Sequence, residues 1–593
     1  MCGINGFNFK DENLLKKMSA ITYSRGPDNE GFFLSDEYSV SHNRLSIIDP
    51  EERSNQPFIY KNLILSFNGE IYNYMDLKDQ MIQKGYKFQT NSDTELIVKL
   101  YFEYGEESFK LLSGIFAISI FDKIKKKIIL IRDIVGVKPL YYYFNIQEKK
   151  FIFSSLIKPI LLSLKNKNLN YNSLISYSNF NRNDYSETYF KDIFKVNPGE
   201  LIIFQQNNVL KKKFLNFEFQ NEKKYNIAQD IENIFSKQFV SDVPIALSLS
   251  GGVDSNLIFS TLLKSKKSKF NVYSVYFEES EKYSADFKAA KTICKHNNLD
   301  INPVAIKPKD FIDYSEKVVD IVEEPVGNAN SIANYILSKN VSEKVLFSGD
   351  GGDEIFSGYD RYKSIHLINL CNFLNPLKHL DLNFKNKNLK RFFINNSREM
   401  FLSFSEQNLF KSQSKVYKNF QLIDDKQFNK NLNHSSDLDP KTKLSYVMYH
   451  DLDTWIQNDV LLRNDKIYAN SSIELRVPFL DQKIIENYLM INDYEKFGFF
   501  LKYKNLIIKN FKEELKLTIN QKLGFNTPFA SYLRNELFDF AKNILSKEYY
   551  NSSSLIDFNE CSNLLNKHKH KYFDPYLIWN LVSLQIFLRK FRF

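Results

Sequence analysis

Cysteine is scarce in this sequence, and the few cysteines lie far apart. Only four occur among 593 residues: Cys2, Cys294, Cys371 and Cys561. No CxxC pair is present, so neither a cysteine-ligated zinc site nor a disulfide framework is indicated. Cys294 lies in a segment that predicts a helix and is expected to be a buried packing residue. Cys2 has the unusual position, directly behind Met1.

Long hydrophobic runs are also missing. No stretch of about 18 uninterrupted apolar residues occurs, so no transmembrane helix is indicated. The most apolar candidate, SLIKPILLSL, is interrupted by Lys158 and Pro159. The amino terminus shows no basic segment leading into an apolar one, so no signal peptide is indicated. We therefore expect a cytoplasmic protein with no membrane partner.

The residues that are present are typical of a folded protein with several domains. Hydrophobic residues make up 43% and aromatic residues 15% of the chain, far too many for a disordered protein. A length of 593 residues exceeds what one core normally organises, which predicts two or more domains. The net charge of +10 comes from lysines dispersed beside asparagines in predicted turns, so no nucleic-acid partner is expected.

The two halves of the chain differ in periodicity. Residues 1 to about 205 contain alternating apolar segments joined by glycine, asparagine and aspartate turns, which predicts a sheet-rich domain with some helices. From about residue 227, short apolar strands alternate with helices, which indicates a parallel sheet. Beyond about residue 360 the pattern is mostly helical. We predict two domains, at residues 2–215 and 227–593.

The segment SLSGGVDS, from Ser248 to Ser255, follows a buried-strand pattern and precedes a helical one. Two adjacent glycines allow a tight turn with exposed N–H groups, and a helix amino terminus adds positive potential, so the loop suits a phosphate or pyrophosphate. Ser250 and Ser255 are candidate donors to phosphate oxygens, and Asp254 is a candidate Mg²⁺ ligand. The chain has no Gly-Lys pair, so this is not a Walker A loop. A glycine turn without a ligand is the alternative.

A second glycine loop, SGDGGDEIFSGY, also follows an apolar strand. Asp350, Asp353 and Glu354 fall within five residues, and carboxylates crowded in this way repel one another unless a cation is present. In an open α/β sheet, ligands lie at the carboxyl ends of the strands. Both loops are predicted at that edge, so we expect ATP and Mg²⁺ to bind between them.

The motifs of both halves resemble the family of glutamine-hydrolysing asparagine synthetases, over nearly the whole chain. Those of the second half are SGGVDS, SGDGGDEIFSGY, IELRVPFLD and KLGFNTP; those of the first are MCGINGF, SRGPDNEG, HNRLSIID, FNGEIYNY, NSDTEL, LSGIFAISIFD and RDIVGVKPLYY. The resemblance implies a fold of class α/β plus α+β. An amino-terminal Ntn-hydrolase αββα sandwich, the class II glutamine amidotransferase domain, would precede a parallel-sheet ATP-pyrophosphatase domain with a helical carboxyl-terminal part.

The resemblance also implies a role for Cys2, whose position by itself is equally compatible with chance at a frayed terminus. Removal of Met1 would make Cys2 the first residue, and its α-amino group, with a reference pKa of about 7.7–8.0, would act as the base for its own thiol. The Asn68 side chain and the Gly69 N–H would stabilise the oxyanion formed when the thiolate attacks glutamine. Singly, Asn68-Gly69 is equally well read as a turn.

Three further residues would hold the glutamine substrate in this interpretation. Arg44 would bind its carboxylate, while Glu70 and Asp93 would bind its α-ammonium. A surface ion-pair partner for Arg44 and a helix cap for Asp93 are the alternatives when each is taken alone. Beside Cys2, the functional interpretation is favoured.

In the second half, the resemblance implies that ATP is cleaved to AMP and pyrophosphate while aspartate becomes an acyl-adenylate. Asp254 and Asp353 would bind Mg²⁺, Asp350 would assist adenylate formation, and Lys522 would stabilise charge as ammonia attacks. The residues expected to contact ATP are Leu249, Ser250, Gly251, Gly252, Asp254, Ser255, Val275, Ser348 and Gly349.

Several positions depart from the family pattern. Leu156 stands at a glutamate position, Ser357 at a glycine position, Arg463 at a lysine position and Asn520 at an arginine position, whereas Asp465 is matched. Arginine and lysine are not interchangeable where geometry matters. Because the departures concentrate where the acceptor would bind, amidation of another carboxylate, such as a sugar uronic acid in polysaccharide assembly, remains an alternative. A catalytically inactive nucleotide-binding regulator is the second alternative.

The remaining expectations concern surface features and assembly. His568 and His570 are predicted to lie in an exposed polar turn. Glutamine, ATP and aspartate or another carboxylate are the expected small-molecule partners, and a homodimer is left open beside a monomer. Ammonia passing between two active sites would need a protected channel between the domains.

Overall fold

The computed structural model describes residues 1–219, 226–265, 269–278, 284–370, 416–417, 442–498, 501–518, 527–571 and 574–593. Lys522 and Asn520 lie outside these residues, and so does Cys371.

Two antiparallel sheets occupy the amino-terminal part. Their strands are β1 (Gly3–Phe7), β2 (Asn29–Leu34), β3 (Ser39–Arg44), β4 (Phe58–Tyr60), β5 (Leu63–Ile71), β6 (Gly114–Asp122), β7 (Lys127–Arg132), β8 (Tyr141–Asn145), β9 (Lys150–Ser154), β10 (Ile193–Lys195), β11 (Glu200–Gln205) and β12 (Asn208–Lys213). One six-stranded sheet has the order β10-β8-β9-β1-β3-β2, and the other has the order β12-β11-β7-β6-β5-β4.

The two sheets pack face to face, and helices cover their outer faces. Buried residues of both sheets form one apolar layer, which includes Ile4 and Val40 of the first sheet and Ile64 and Leu130 of the second. The helices are α1 (Glu12–Thr22), α2 (Tyr74–Gln83), α3 (Asp93–Tyr104), α4 (Ile157–Leu161) and α5 (Tyr171–Phe180). Because α1 packs on β1 and β3 while α3 packs on β4 and β5, the layers follow the order αββα, which confirms the expected sandwich. We call residues 1–215 the sandwich.

The carboxyl-terminal part is built on a five-stranded parallel sheet. Its strands are β13 (Ile245–Ser248), β14 (Phe270–Phe277), β15 (Asn302–Ile306), β16 (Val345–Phe347) and β17 (Glu474–Arg476), in the order β15-β14-β13-β16-β17. The chain winds from β13 to β15 in one direction and then returns to add β16 on the other side of β13. The point between β13 and β16 is therefore the switch point at which such sheets bind ligands.

Helices surround this sheet and continue to the carboxyl-terminal end. They are α6 (Ile227–Gln238), α7 (Val253–Ser265), α8 (Ala285–His296), α9 (Pro308–Val322), α10 (Asn330–Asn340), α11 (Gly352–Phe356), α12 (Asp360–Leu370), α13 (Lys443–His450), α14 (Leu462–Ala469), α15 (Gln482–Tyr488), α16 (Asp493–Phe497), α17 (Asn505–Asn510), α18 (Phe529–Arg534), α19 (Phe538–Ile544), α20 (Phe558–His570) and α21 (Pro575–Phe591). The expected helical character after residue 360 is confirmed for the described residues, apart from the short strand β17.

A π-helix of 11 residues, Asp451–Leu461, joins α13 to α14 without a break. Wider turns of this kind are rare and are frequently found at functional sites. Here the segment brings Trp455 and Val460 to the wall of a cavity, together with Arg463 one turn further on.

Several contacts join the sandwich to the parallel-sheet part. The Tyr177 hydroxyl donates to the Asn580 carbonyl oxygen at 3.1 Å, and the rings of Phe190 and Phe587 lie edge to face at 5.8 Å. Both contacts are made by α21, which is buried along most of its length. Among the helices that the structure describes, none is long and apolar enough to span a bilayer.

Candidate functional site

Cys2 lies at the start of β1, at the buried junction of the sandwich with the parallel-sheet part. Its backbone N–H donates to Asn68 Oδ1 at 2.8 Å, and its Sγ lies 4.0 Å from the Leu45 carbonyl oxygen. Burial raises the pKa of the Cys2 thiol. Met1 is buried as well, and burial lowers the pKa of its α-amino group to about 6. With a pKa of about 6, the Met1 α-amine is mostly unprotonated, and hence basic, at neutral pH.

Asn68 and Gly69 lie in the middle of β5, close to Cys2. The Asn68 Nδ2 is buried and has no hydrogen-bond partner among the described residues, so it is a donor with an unused N–H beside the thiol. Gly69 has a φ of +142°, and a Cβ at this position would lie 1.9 Å from the Ile115 carbonyl oxygen. These residues are therefore part of a strand rather than a simple turn.

Arg44 ends β3 and points its guanidinium at the loop that follows. Its Nη1 donates to the Glu51 carbonyl oxygen and Asn55 Oδ1, both at 2.9 Å, and its Nη2 donates to the Ile48 and Asp49 carbonyl oxygens at 3.2 and 2.6 Å. All four acceptors are neutral, and Arg44 forms no ion pair among the described residues. Its charge is thus available to an anion, although a direct bond would have to replace one of these contacts.

Glu70 and Asp93 form an acidic corner of the same pocket. Asp93 opens α3, and its Oδ2 accepts the Ile71 N–H at 3.0 Å. Burial raises the pKa of Asp93 to about 6, and burial together with Glu474 holds the pKa of Glu70 well above its usual range. Two buried carboxylates that resist ionisation are suited to a cationic partner. The cap of α3 is Ser92, whose hydroxyl accepts the Thr94 N–H at 3.1 Å.

A chain of buried charges connects this pocket with the parallel-sheet part. Arg476 Nη2 lies 3.3 Å from Glu70 Oε1, and Arg476 Nε donates to Glu474 Oε1 at 2.8 Å. Lys138 follows, with Nζ 4.0 Å from Glu474 Oε2 and 3.8 Å from Asp465 Oδ2. The chain therefore runs from the pocket of Glu70 and Asp93 to α14.

Arg25 connects this chain of charges to Cys2. Its Nη2 donates to Asp465 Oδ1 at 2.8 Å and its Nε to the Cys2 carbonyl oxygen at 2.9 Å. Sequence reasoning assigned no role to Arg25, Lys138, Glu474 or Arg476. For Lys138, Glu474 and Arg476 the available signal was their position, since each is a charged residue inside an apolar motif, whereas the polar sequence around Arg25 offered no such signal.

The first glycine loop joins β13 to α7. Gly251 has a φ of +75°, and a Cβ there would lie 2.7 Å from Ala289 Cβ, so a larger residue does not fit. The Ser250 and Ser255 hydroxyls are 3.0 Å apart, and Asp254 lies in the first turn of α7. Leu249 is buried under the loop, whereas Val275 is half-buried on the adjacent strand.

The second glycine loop follows β16, the neighbour of β13, so the expected meeting of the two loops at one sheet edge is confirmed. Both loops line one cavity of 820 Å³, to which Ser248, Ser250, Gly252, Asp254, Ser255, Ser348, Gly349, Asp350 and Asp353 contribute. A Cβ at Gly349 would lie 3.0 Å from Asp254 Cβ, which shows how closely the loops approach.

Asp254 and Asp353 converge on one cation, the ammonium group of Lys504. Lys504 Nζ lies 2.6 Å from Asp353 Oδ1 and also contacts Asp254 Oδ2. Burial alone would lower the pKa of Lys504, but the two carboxylates outweigh it and raise the pKa. No cluster of three or more His, Cys, Asp or Glu side chains suited to a metal occurs in the described part of the chain. Two carboxylates without further protein ligands fit Mg²⁺, which usually takes its remaining ligands from water and phosphates.

Asp350 points toward α14 rather than toward Lys504. Its Oδ2 accepts from Asn464 Nδ2 at 3.2 Å, and Asn464 Oδ1 accepts from Asn334 Nδ2 at 3.0 Å. Burial raises the pKa of Asp350. Arg463, on the same helix, is paired with Asp459 at 2.7 Å. The position of Lys522 relative to this group lies outside the described residues.

Two positions that were singled out from sequence have a structural explanation. Leu156 precedes α4, whose first N–H groups, at Ile157 and Lys158, donate to the Glu323 carboxylate at 2.8 and 2.7 Å. Glu323 also accepts from Lys466 Nζ at 3.0 Å, so this end of α4 is held by the parallel-sheet part. Cys294 is buried, as expected.

The prediction of an exposed turn is wrong for His568, whereas His570 is exposed as expected but lies in a helix. His568 and His570 form the last turn of α20, and His568 is buried, with Nε2 3.1 Å from the Ala530 carbonyl oxygen. The polar sequence NKHKHKY reflects the exposed face of an amphipathic helix, and His568 lies on its buried face.

Comparison with known proteins agrees with the two-part architecture. A family model described as glutamine amidotransferase domain matches residues 1–215, and one described as asparagine synthase matches residues 226–589. Two Bacillus subtilis relatives carry the names glutamine-hydrolysing asparagine synthetase 1 and 3. The first is 29% identical over 92% of this chain and 90% of its own length, and the second is 25% identical over 82% and 80%.

A third relative has a different name. It is the amidase chry2 of Gibberella zeae, which is 29% identical over 60% of this chain and 56% of its own length. The asparagine synthase model covers more than half of the 593 residues. The chain therefore belongs to the asparagine synthase family and carries a glutamine amidotransferase domain in front of its synthase domain.

Proposed function

We propose that this chain is a cytoplasmic, glutamine-hydrolysing asparagine synthetase that uses ATP and Mg²⁺. The observation that carries the proposal is the pair of consecutive residues Asn464 and Asp465. Asn464 donates to Asp350 in the cavity of the parallel-sheet part, and Asp465 accepts from Arg25, which holds the Cys2 carbonyl. One turn of α14 thus connects a glutaminase nucleophile with a carboxylate of the synthase cavity.

In the first half-reaction, the α-amino group of mature Cys2 accepts the thiol proton, and the thiolate adds to the amide carbon of glutamine. The oxyanion is stabilised by the Asn68 Nδ2–H donors and the Gly69 N–H. Ammonia leaves with the proton, and a thioester to Cys2 remains until water releases glutamate. Arg44 attracts the substrate carboxylate, while Glu70 and Asp93 bind its ammonium group.

In the second half-reaction, the side-chain carboxylate of aspartate attacks the α-phosphorus of ATP, and pyrophosphate leaves. The N–H groups of the loop from Ser250 to Gly252 bind phosphate oxygens. Mg²⁺ held by Asp254 and Asp353 would neutralise charge on the phosphates. Ammonia then attacks the acyl carbon and AMP leaves, with Asp350 and Lys522 as the residues proposed to act on the acyl-adenylate. Leu249, Val275, Ser348 and Gly349 are proposed nucleotide contacts.

A second candidate, amidation of a different carboxylate, is favoured by the charges of the cavity. Of the described residues that line it, the cations are Arg463 and Lys504, and both are paired with carboxylates. The second carboxylate of aspartate therefore meets no unpaired cation among them, whereas a sugar acid with a single carboxylate needs none. A homodimer remains an open proposal.

The deciding experiment measures pyrophosphate release with a panel of carboxylates, in the presence of ATP, Mg²⁺ and ammonia. Preference for aspartate supports the main proposal, and preference for uronic acids supports the second candidate. No pyrophosphate release with ATP and any of the carboxylates would instead favour an inactive regulator. Cys2→Ala is the matched variant, since it should abolish glutamine-dependent synthesis and leave ammonia-dependent synthesis intact. Loss of both activities would show that the thiol has been misassigned.

A further inference from the structure

The ammonium group of Lys504 occupies a defined position between the two carboxylates that we assign to the metal. Asp254 comes from the first turn of α7, Asp353 from α11, and Lys504 immediately precedes α17. Three separate elements therefore converge on one point. The Lys504 side chain is only 8% exposed, so it is not a surface lysine that happens to lie near two acids.

The backbone around this contact leaves room for it. A Cβ at Gly358 would lie 1.8 Å from Asp353 Oδ1 and 2.7 Å from Lys504 Cε. At Gly352, a Cβ would lie 2.5 Å from Asp254 Oδ1. Any larger residue at these glycines would displace either a carboxylate or the lysine stem. The site is thus built to bring the two carboxylates onto a single cation.

We propose that Lys504 is the counter-ion of Asp254 and Asp353 when no nucleotide is bound and a phosphate-binding residue when nucleotide is bound. This inference rests on the proposed function, in which Asp254 and Asp353 hold Mg²⁺. The metal would bind the same carboxylate oxygens at about 2.0–2.1 Å, where the ammonium now lies, so the two cations exclude each other. A divalent cation without nucleotide must therefore compete with Lys504.

The charges explain why the nucleotide changes the outcome of that competition. One ammonium between two carboxylates leaves a net charge of −1, whereas a polyphosphate brings several negative charges into the same cavity. The ammonium group of Lys504 is carried on a flexible chain of four methylene groups, so it can change position. Lys504 lines the cavity together with Ser250 and Gly252 of the phosphate loop. Once displaced by the metal, the ammonium group finds phosphate oxygens as its strongest available partners.

The test measures two affinities that should change in opposite directions in Lys504→Met. Free Mn²⁺ is followed by electron paramagnetic resonance without nucleotide, and Mn²⁺-pyrophosphate binding is measured by calorimetry. We expect the variant to bind bare Mn²⁺ at least about tenfold more tightly than the wild type, because the competing charge is gone. It should bind Mn²⁺-pyrophosphate about tenfold more weakly, because a charged phosphate contact is lost.

The matched control is Lys502→Met, which removes an exposed lysine two residues away and should change neither affinity. Equal Mn²⁺ affinity in Lys504→Met and the wild type would overturn the inference, and so would a change of both affinities in the same direction. Should Lys504→Met not fold, Lys504→Gln keeps a neutral donor between the carboxylates, and the same two affinities are measured in it.

A double variant separates this inference from the proposed metal site. Adding Asp353→Asn to Lys504→Met should abolish Mn²⁺ binding. If Mn²⁺ binding survives, the proposed metal site is wrong. If it is lost, while Lys504→Met alone binds Mn²⁺ no better than the wild type, the metal site stands and the role of Lys504 is refuted.

Discussion

Arg25 and Asp465 form a fully buried ion pair, 2.8 Å long, between residues 440 positions apart in the sequence. Arg25 belongs to the sandwich, where it also binds the Cys2 carbonyl, and Asp465 belongs to α14. A buried charge that loses its partner costs several kcal/mol, whereas an exposed pair contributes little. The pair therefore joins the start of the Cys2 strand to α14.

Asp465→Asn should uncouple the two reactions. The variant leaves Arg25 and Lys138 without their shared carboxylate, so we expect a loss of about 3–5 kcal/mol in the free energy of unfolding. Glutamate should then form in excess over the amide product, because the contact between the two sites is loosened. The measurement is the ratio of glutamate to AMP, together with urea unfolding.

A second contact between the same two parts provides the control. Lys344 pairs with Asp28 at 2.7 Å, and the two side chains are 36% and 25% exposed. Lys344→Met should therefore change the free energy of unfolding by less than about 1 kcal/mol and leave the product ratio unchanged. If both variants behave alike, the buried pair has no special role.

Gly69→Ala should be much more damaging than an equivalent change at another left-handed glycine. Its φ of +142° and the 1.9 Å approach of a Cβ to the Ile115 carbonyl oxygen combine strain with a collision inside β5. Gly85 is the matched control, since its φ is +93° and no atom lies within 4 Å of a Cβ.

Gly85→Ala should cost about 1 kcal/mol from backbone strain, and Gly69→Ala about 1–3 kcal/mol more. Glutaminase activity should fall only in Gly69→Ala, because the displaced backbone carries the proposed oxyanion donors. Thermal unfolding and glutamate release measure these effects. Full glutaminase activity in Gly69→Ala would exclude this backbone segment from the oxyanion site.

The burial of Met1 leads to a prediction about maturation. Met1 is only 1% exposed and is enclosed at the junction of the two parts, near Glu474 and Lys138. An aminopeptidase needs an accessible terminus, so the proposed function requires that Met1 be removed before the chain closes around it. We expect protein made while methionine aminopeptidase is inhibited to retain Met1 and to lack glutaminase activity.

Added aminopeptidase should not repair that protein while it is folded, but should do so after denaturation and refolding in its presence. Intact-mass spectrometry and glutamate release follow the two steps. An active glutaminase that still carries Met1 by mass would contradict both the order of events and the use of the Cys2 α-amine as base.

The periodicity of the sequence predicted the strands and helices, and the motifs predicted that the two glycine loops lie together. Strand and helix periodicity located the two sheets, and the rule for parallel sheets brought the loops after β13 and β16 to one edge. Long-range charge pairs were not predictable in this way. Nothing in the local pattern around Arg25 or Lys504 indicates a partner hundreds of residues away, because such contacts depend on how the two parts pack.

Two local features, the cap of α3 and the environment of His568, could not be decided from the sequence, for physical reasons. Ser92 and Asp93 are both good helix caps, and the structure uses Ser92 for the cap, which leaves the Asp93 carboxylate to face the pocket. His568 was misplaced because charged neighbours dominate its local sequence, although one face of α20 is buried.

The raised pKa of Asp93 predicts a pH dependence of glutamine binding. Burial raises this pKa to about 6, so the carboxylate is protonated at lower pH and no longer attracts the substrate ammonium group. The KM for glutamine should therefore rise as the pH falls through 6, while ammonia-dependent synthesis, which does not use this pocket, keeps its own profile. Steady-state kinetics between pH 5 and 8 with both nitrogen donors measure this difference.

The raised pKa of Asp93 also predicts how this residue changes the free energy of unfolding as the pH changes. A carboxyl group whose pKa is higher in the folded than in the unfolded state stabilises the fold below its ordinary pKa, and this contribution is lost as the pH rises through 6. Asp93→Asn should thus stabilise the substrate-free protein by on the order of 2–3 kcal/mol at pH 7.5 but not at pH 3.5. The same variant should raise the KM for glutamine at every pH and remove the inflection near 6. An unchanged inflection would assign that titration to a group other than Asp93.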